Sequence, residues 1–177
     1  SYMFWKSILC ALFLFFLISC SNTNNTLNSN EQKIFSPETK YVEAMKKFNN
    51  KQYQEAIIAF ENIEKIYPLS NEAIQSQIMS GFIDYILLDY ETAILKFSKL
   101  INKYPSLKNI DYVYYMRALC YYEQISHEGL DGEYNSLALE NLNQVINRFP
   151  KSKYAKDSYQ KLVLVKSNIA AKHMTIG

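Results

Sequence analysis

From residue 37 onward the apolar positions of this chain recur in a fixed order. Three segments carry it: Gln54-Glu-Ala-Ile-Ile-Ala-Phe-Glu-Asn-Ile-Glu-Lys-Ile-Tyr-Pro68, Glu91-Thr-Ala-Ile-Leu-Lys-Phe-Ser-Lys-Leu-Ile-Asn-Lys-Tyr-Pro105 and Ser136-Leu-Ala-Leu-Glu-Asn-Leu-Asn-Gln-Val-Ile-Asn-Arg-Phe-Pro150. Ala56, Ala93 and Ala138 each stand twelve residues before a proline. Phe60, Phe97 and Leu142 follow four residues later, and Ile63, Leu100 and Val145 three after that. Offsets of four and three put these side chains on one stripe of a helix. The closing proline, with no N–H and a fixed φ, stops each helix. A second helix precedes each of these. Ala44, Gly81 and Ala118 are spaced by thirty-seven residues, and the same step links Tyr41, Ile78 and Tyr115, then Met45, Phe82 and Leu119, then Phe48, Tyr85 and Tyr122. A small side chain at such a position lets a neighbouring helix approach closely. The predicted unit is therefore helix A, short turn, helix B, proline stop. Ser36-Pro37-Glu38 supplies a start for the first unit, with Ser as cap and Pro in the first turn.

This pattern resembles the tetratricopeptide repeat, which places small residues at its eighth and twentieth positions and proline at its thirty-second. Ala44, Ala56 and Pro68 match, as do Gly81, Ala93 and Pro105. Ala118, Ala138 and Pro150 match with eight extra residues between the two helices, around Ser126-His-Glu-Gly-Leu-Asp-Gly-Glu-Tyr134, which read as an exposed loop. The resemblance implies an all-α superhelix, an α-solenoid of helix hairpins, with repeats at about 37–70, 71–108 and 109–152. A further amphipathic stretch, 153–172, either caps the stack or opens a fourth repeat. It has no paired helix B, so the expectation is that the chain is cut there.

The first thirty-six residues do not share the pattern. Lys6 precedes an uncharged run of eleven residues from Ile8 to Ile18. That is too short to span the hydrocarbon core of a bilayer, about 30 Å thick, and the order of charge then apolar run is that of a secretory signal, assigned to 1–19. The run ends Leu17-Ile18-Ser19-Cys20, which resembles a bacterial lipoprotein box. The resemblance implies that the Cys20 thiol receives a diacylglycerol, that the chain is cut before it, and that the new amine is acylated. Two or three acyl chains give stable anchoring where one does not. Ser21, in place of Asp, resembles the signal for outer-membrane retention. Residues 20–36 comprise this cysteine and then Asn, Ser and Thr in excess, which have little to bury. They are expected to form a leash with a span of roughly 20–25 Å. The unit from 37 to 177 is expected to be the repeat domain.

Composition sharpens the fold class. Residues are 49% apolar and 15% aromatic, which excludes a chain disordered throughout. Gly and Pro number only four each, too few for the turns of a many-stranded sandwich or barrel. A net charge of +2 gives no reason to expect a nucleic-acid partner. With Cys10 in the signal and Cys20 lipidated, Cys120 has no disulfide partner and lies in an apolar helical pattern.

Candidate chemistry is sparse. The two histidines, His127 and His173, have no Cys or carboxylate at metal-ligand spacing. No phosphate loop, Gly-x-Ser-x-Gly turn or His-Glu-x-x-His run occurs. Asp111 complements a helix N-terminus, and Asp84 reads as a solvated or groove-facing carboxylate. Neither a metal nor a cofactor is expected beyond the covalent lipid on Cys20, and no catalytic residue. Fifteen Tyr and ten Phe serve mostly as packing between helices. In a stack of hairpins, however, helix A lines the concave wall. Tyr41, Phe48, Phe82, Tyr85, Tyr115 and Tyr122 are then candidates for a groove that holds an extended polypeptide by apolar area and hydroxyl hydrogen bonds.

The stretch Asn109-Ile-Asp-Tyr-Val-Tyr-Tyr-Met-Arg-Ala-Leu119 after Tyr104-Pro105, the insert in the third repeat, and the links Tyr67-Pro-Leu-Ser70 and Phe149-Pro-Lys-Ser152 resemble the BamD family. Those proteins join a lipoprotein signal to tetratricopeptide repeats, normally five, against three and one helix here. The resemblance implies a non-enzymatic, lipid-anchored subunit on the periplasmic face of the outer membrane of a Gram-negative bacterium. It implies as partners BamA and other subunits of the β-barrel assembly (BAM) complex, unfolded outer-membrane protein segments, and outer-membrane lipid through the anchor. A different repeat lipoprotein, serving pilus assembly or cell division, is the alternative. An enzyme on a repeat scaffold would need a catalytic domain for which no span remains.

Overall fold

A computed structural model of the chain describes residues 36–128 and 132–176. Cys20, the signal and the leash lie outside the described residues, apart from Ser36. A compact unit runs from Pro37 to Gly177. Its described residues form helices and no strand: α1 (Pro37–Asn49), α2 (Tyr53–Ile66), α3 (Asn71–Ile86), α4 (Tyr90–Lys103), α5 (Ile110–Glu128), α6 (Gly132–Arg148) and α7 (Lys153–Ile176). Each helix packs on the next, and α1, α3, α5 and α7 also touch one another in succession. The second helices of the hairpins make no such close approach. Long side chains bridge α2 to α4, through Lys96 Nζ to Glu61 Oε1 and Lys99 Nζ to Glu64 Oε1, both 2.9 Å. Tight spacing of one set and wide spacing of the other bends the stack, with the A helices on its inner side. This is the tetratricopeptide solenoid.

The stripes read from the sequence are the core. Ala44, Ala56, Phe60, Ala93, Phe97, Leu100, Ala118, Ala138, Leu142 and Val145 are fully buried. Gly81 shows why a small residue recurs on helix A. A Cβ there would lie 2.9 Å from Phe97 Cε1, so the ring of α4 rests directly on the α3 backbone. Tyr67 and Tyr104, the residues before Pro68 and Pro105, leave the helical region with φ of −124° and −130°, as the proline ring demands of its predecessor. Helices α3 and α4 are capped by side chains. Ser70 Oγ accepts from Ala73 N–H at 3.0 Å, and Asp89 Oδ1 from Thr92 N–H at 3.2 Å.

The two A-to-B turns share one geometry. Lys51 and Leu88, thirty-seven residues apart, have φ of 61° and 63°. Gln52 N–H donates to Lys47 O and Lys51 N–H to Phe48 O, and Asp89 N–H donates to Asp84 O and Leu88 N–H to Tyr85 O. This is the Schellman pattern, whose left-handed residue is usually glycine. Leu88 is exposed, so it carries the strain of a left-handed Cβ without packing to offset it. We expect Leu88→Gly to raise unfolding stability by about 1 kcal/mol, measured by urea denaturation. A loss of stability would show that the turn is not left-handed.

Three expectations are corrected. The insert of the third repeat does not form a nine-residue loop. Helix α5 continues through Glu128 and α6 begins at Gly132, so these helices have 19 and 17 residues where α3 and α4 have 16 and 14. Most of the extra residues extend the hairpin arms. Asp84 is not solvated or groove-facing. It is buried against α4, with Lys96 Nζ 2.7 Å from Oδ2. The last helix also runs four residues beyond the expected 172, to Ile176.

Candidate functional site

The inner wall is the A-helix wall, and the six aromatic candidates lie along it. All six are half-buried. Tyr41 of α1 packs on Phe60 of α2 with ring centroids 5.5 Å apart. Phe48 of α1 meets Phe82 of α3 at 6.2 Å and Tyr53 at 5.9 Å. Tyr85 of α3 meets Tyr90 edge-on at 5.7 Å, and its hydroxyl donates a long 3.5 Å hydrogen bond to Glu123 Oε1 on α5. Tyr115 of α5 stacks on Tyr154 of α7, centroids 4.8 Å apart. Tyr122 lies 5.6 Å beneath Lys161 Nζ of α7. Every seam between successive A helices thus carries at least one member of the stripe. The thirty-seven-residue step puts the stripe in phase, and the stacking then brings its members from neighbouring repeats together.

The α5–α7 seam is the most polar part of the wall. Tyr115 Oη donates to Asp157 Oδ2 at 2.6 Å, and Lys161 Nζ donates to the same oxygen at 2.8 Å. Burial acts to raise the Asp157 carboxyl, but these two hydrogen bonds and the Lys161 charge outweigh it and hold it below the usual range. Burial, then the same Asp157 contact, raises the Tyr115 hydroxyl far above its ordinary value. Burial, with help from Glu123, pushes Tyr85 up to about 12. These hydroxyls are therefore neutral hydrogen-bonding groups at any physiological pH, with no tendency to act as bases.

Beside the predicted stripe the wall opens into a cavity of about 460 Å³, lined by Gln75 and Ile78 of α3, Tyr112 of α5 and Tyr154 of α7, with Asp111 and Lys153 at its edge. Of these, the sequence stripe contained Ile78 but omitted Gln75, Tyr112 and Tyr154 as site residues. A signal for two of them was present: Gln75 and Tyr112 are also thirty-seven apart and stand three residues before Ile78 and Tyr115. Burial pushes Tyr112 up to about 12. Asp111 Oδ1 accepts from Tyr112 N–H at 2.9 Å and Oδ2 from Ser152 Oγ at 2.6 Å, so it ties the start of α5 to the link before α7. The wall as a whole presents aromatic area and neutral hydroxyls, with the Gln75 carboxamide beside them and Glu123, Asp157 and Lys161 set against the rings and hydroxyls. Such a surface suits binding of an extended chain.

Cys120 is buried in the core cluster that also holds Phe97 and Leu142, and burial pushes its thiol up to about 12. It is inert at neutral pH. Among the described residues no group of three His, Cys, Asp or Glu is placed to hold a metal ion, and no helix is long and apolar enough to cross a membrane. The His127 side chain lies outside the described residues, and His173 is exposed.

Comparison with known proteins gives one consistent family. The family described as YfiO, outer membrane lipoprotein, matches residues 35–177. The outer membrane protein assembly factor BamD of Caulobacter vibrioides is 33% identical over 125 residues, covering 71% of this chain and 41% of that protein. BamD of Rickettsia prowazekii is 33% identical over 139 residues, covering 78% of this chain and 55% of its own. BamD of Neisseria meningitidis serogroup A is 25% identical over 184 residues, covering 97% and 69%. The chain spans about half the length of the first two of these relatives. Among solved structures, MamA 41-end from Desulfovibrio magneticus RS-1 superposes with a TM-score of 0.52 at 15% identity, covering 77% of each chain. That likeness concerns the fold.

Proposed function

The chain belongs to the YfiO outer-membrane lipoprotein family, and from that premise we propose that it is a non-enzymatic subunit of the outer-membrane β-barrel assembly machinery. Its relatives are named outer membrane protein assembly factors. In this reading Cys20 carries the lipid and fixes the protein to the periplasmic face of the outer membrane. The repeat domain scaffolds BamA and holds unfolded segments of incoming outer-membrane proteins. The observation that supports the second role is the aromatic inner wall. Tyr41, Phe48, Phe82, Tyr85, Tyr115 and Tyr122 are half-buried rather than sealed in the core. Each keeps a ring edge or a hydroxyl for an extended ligand whose own backbone groups need partners. Nothing in the reading calls for bond breaking. The protein binds, aligns and releases.

The test is recovery from membranes. A tagged full chain is expected to bring down BamA, and Cys20→Ala is expected to move the protein into the soluble periplasmic fraction with its helical circular dichroism unchanged. Recovery of pilus-assembly or cell-division proteins without BamA would replace the reading with that of another repeat lipoprotein. A Cys20→Ala protein that stays with the membrane would remove the lipid anchor. For the groove, Tyr122→Ala is expected to weaken binding of an unfolded outer-membrane protein segment several-fold with little change in melting temperature. A lowered melting temperature with unchanged binding would make Tyr122 a packing residue only.

A further inference from the structure

The outer side of the stack has two seams that differ. Between α4 and α6 the space is filled at the level of Arg117 on α5, whereas further along the same seam a cavity of about 350 Å³ opens between Leu95, Tyr121, Gln124 and Leu137. Arg117 sends Nη1 to Ser98 Oγ at 3.3 Å and Nη2 to Gln144 Oε1 at 2.9 Å, and its guanidinium lies 5.3 Å from the centre of the Tyr114 ring. Val113 stands one residue before Tyr114 and is fully buried. Thirty-seven residues earlier, on α3, the counterparts of Val113, Tyr114 and Arg117 are Ser76, Gln77 and Ser80. All three are smaller or more polar. The seam between α2 and α4 is consequently hollow, with a cavity of about 270 Å³ over these residues.

The hollow has a neutral polar floor, and the charged groups around it are paired, with three carboxylates against two lysines: Lys96 pairs with Glu61 at 2.9 Å and Asp84 at 2.7 Å, and Lys99 with Glu64 at 2.9 Å. Lys96 also donates to Ser80 Oγ at 2.7 Å, so its protons are committed. What is left unpaired is at the bottom. Ser76 Oγ and Gln77 Nε2 have no hydrogen-bond partner, although Ser76 is 0% and Gln77 6% exposed. A buried donor left unpaired carries the cost of its lost hydration, and a ligand that supplies an acceptor recovers it. The Phe60 ring forms one apolar side. A carboxylate entering here would meet Glu61 and Glu64 and lose its hydration. A carboxamide offers the acceptor for Gln77 and Ser76, a donor for the Glu61 or Glu64 oxygens, and an apolar stem for Phe60.

We propose that this outer crevice between α2 and α4 is a second binding site, for the carboxamide side chain of an Asn or Gln carried on a partner polypeptide. Exposed Ile58, one turn before Glu61 on the same face of α2, gives apolar contact beside the mouth that a chain can cover and a free amino acid cannot. The site lies on the opposite side of the stack from the aromatic wall and stands independently of the reading of that wall.

The test uses the full 177-residue chain, isotope-labelled, with backbone and side-chain amides followed by NMR during titration. The probe is N-acetyl-glutamine methylamide, with N-acetyl-glutamate methylamide and free glutamine as comparators. Expected are saturable shifts at Ser76 and Gln77 with the blocked glutamine, at least about tenfold weaker binding of the glutamate probe, and loss of binding in Gln77→Tyr, which copies the filled seam. Ser76→Val, copying Val113, provides the same check if the tyrosine does not fit, and the two blocked probes on the unaltered chain decide if neither variant folds. Absence of saturation, equal binding of the glutamate probe, or undiminished binding in a folded variant overturns the site. Free glutamine binding as tightly as the blocked probe overturns the polypeptide as its source.

Discussion

Replacing Phe97 by alanine is expected to destabilise the repeat domain by about 3–5 kcal/mol, a large share of the roughly 5–15 kcal/mol that holds a typical domain together. Phe97 has no exposed surface and belongs to the larger of the two core clusters. Its ring is also the object on which Gly81 rests, so truncation removes buried apolar area and leaves a void against bare backbone. In a domain of this size the loss reads as a melting temperature lower by on the order of 10 °C. Leu95, on the same helix but largely exposed, is a control whose truncation stays within about 0.5 kcal/mol. The contact itself is tested by coupling. Gly81→Ala alone forces a methyl to 2.9 Å from Phe97 Cε1 and is expected to cost about 1–3 kcal/mol. In a Phe97→Leu background the same methyl finds space, so the two changes together cost less than their sum by about 1 kcal/mol or more. Strict additivity in urea denaturation would show that α3 and α4 do not meet at this point.

That pair illustrates what the residue pattern carries. Periodicity of 3.6 and a recurrent small residue are local properties, and they located α1 to α4, the core stripes and the close approach at Gly81 without any knowledge of the stacking. The aromatic stripe was half visible. Its thirty-seven-residue step placed Phe48, Phe82, Tyr85, Tyr115 and Tyr122 in phase, but Tyr154, Asp157 and Lys161, which complete their surroundings, come from the next repeat and enter only when α7 docks on α5. Asp84 was misread for the same reason. A carboxylate on helix A looks solvated until Lys96, twelve residues on and in another helix, is brought to 2.7 Å. The insert was misread because two glycines and several acidic residues have turn chemistry, whereas helices already nucleated and packed extend at little cost through residues of middling propensity. Cys20 is a different case. Its assignment rests on a short chemical signal read by an enzyme, and it lies outside the described residues.

Alkaline unfolding is expected to be steep, and the wall is the reason. Burial holds Tyr85 and Tyr112 up to about 12 and raises Tyr115 further, while Cys120 is held at about 12. In the unfolded chain these groups ionise near their ordinary values, about 10 for Tyr and about 8.5 for Cys. Between the two values the unfolded state has released protons that the native state keeps, so stability falls as pH rises. Lys96 adds to the fall. Burial would lower it, but hydrogen bonds to Asp84 and Glu61 outweigh that and hold it above the usual value, so its contribution is complete at neutral pH and lost as the native ammonium deprotonates. The acid side has no such accord. Asp157, held low, stabilises above its unfolded value and loses this as pH falls, whereas Asp84, raised chiefly by burial against the pull of Lys96, works in the opposite direction. Acid titration should therefore weaken the domain gradually, and base should unfold it cooperatively between about pH 10 and 12. Tyrosinate absorbance and helical circular dichroism, followed together, check this: one class of tyrosines is expected to ionise only as the helices melt. Tyr112→Phe keeps the ring and removes a titrating hydroxyl, so it should make the alkaline limb shallower while leaving stability at neutral pH nearly unchanged. Full ionisation of all fifteen tyrosines with the helices intact would mean that the inner wall is open to water along its whole length.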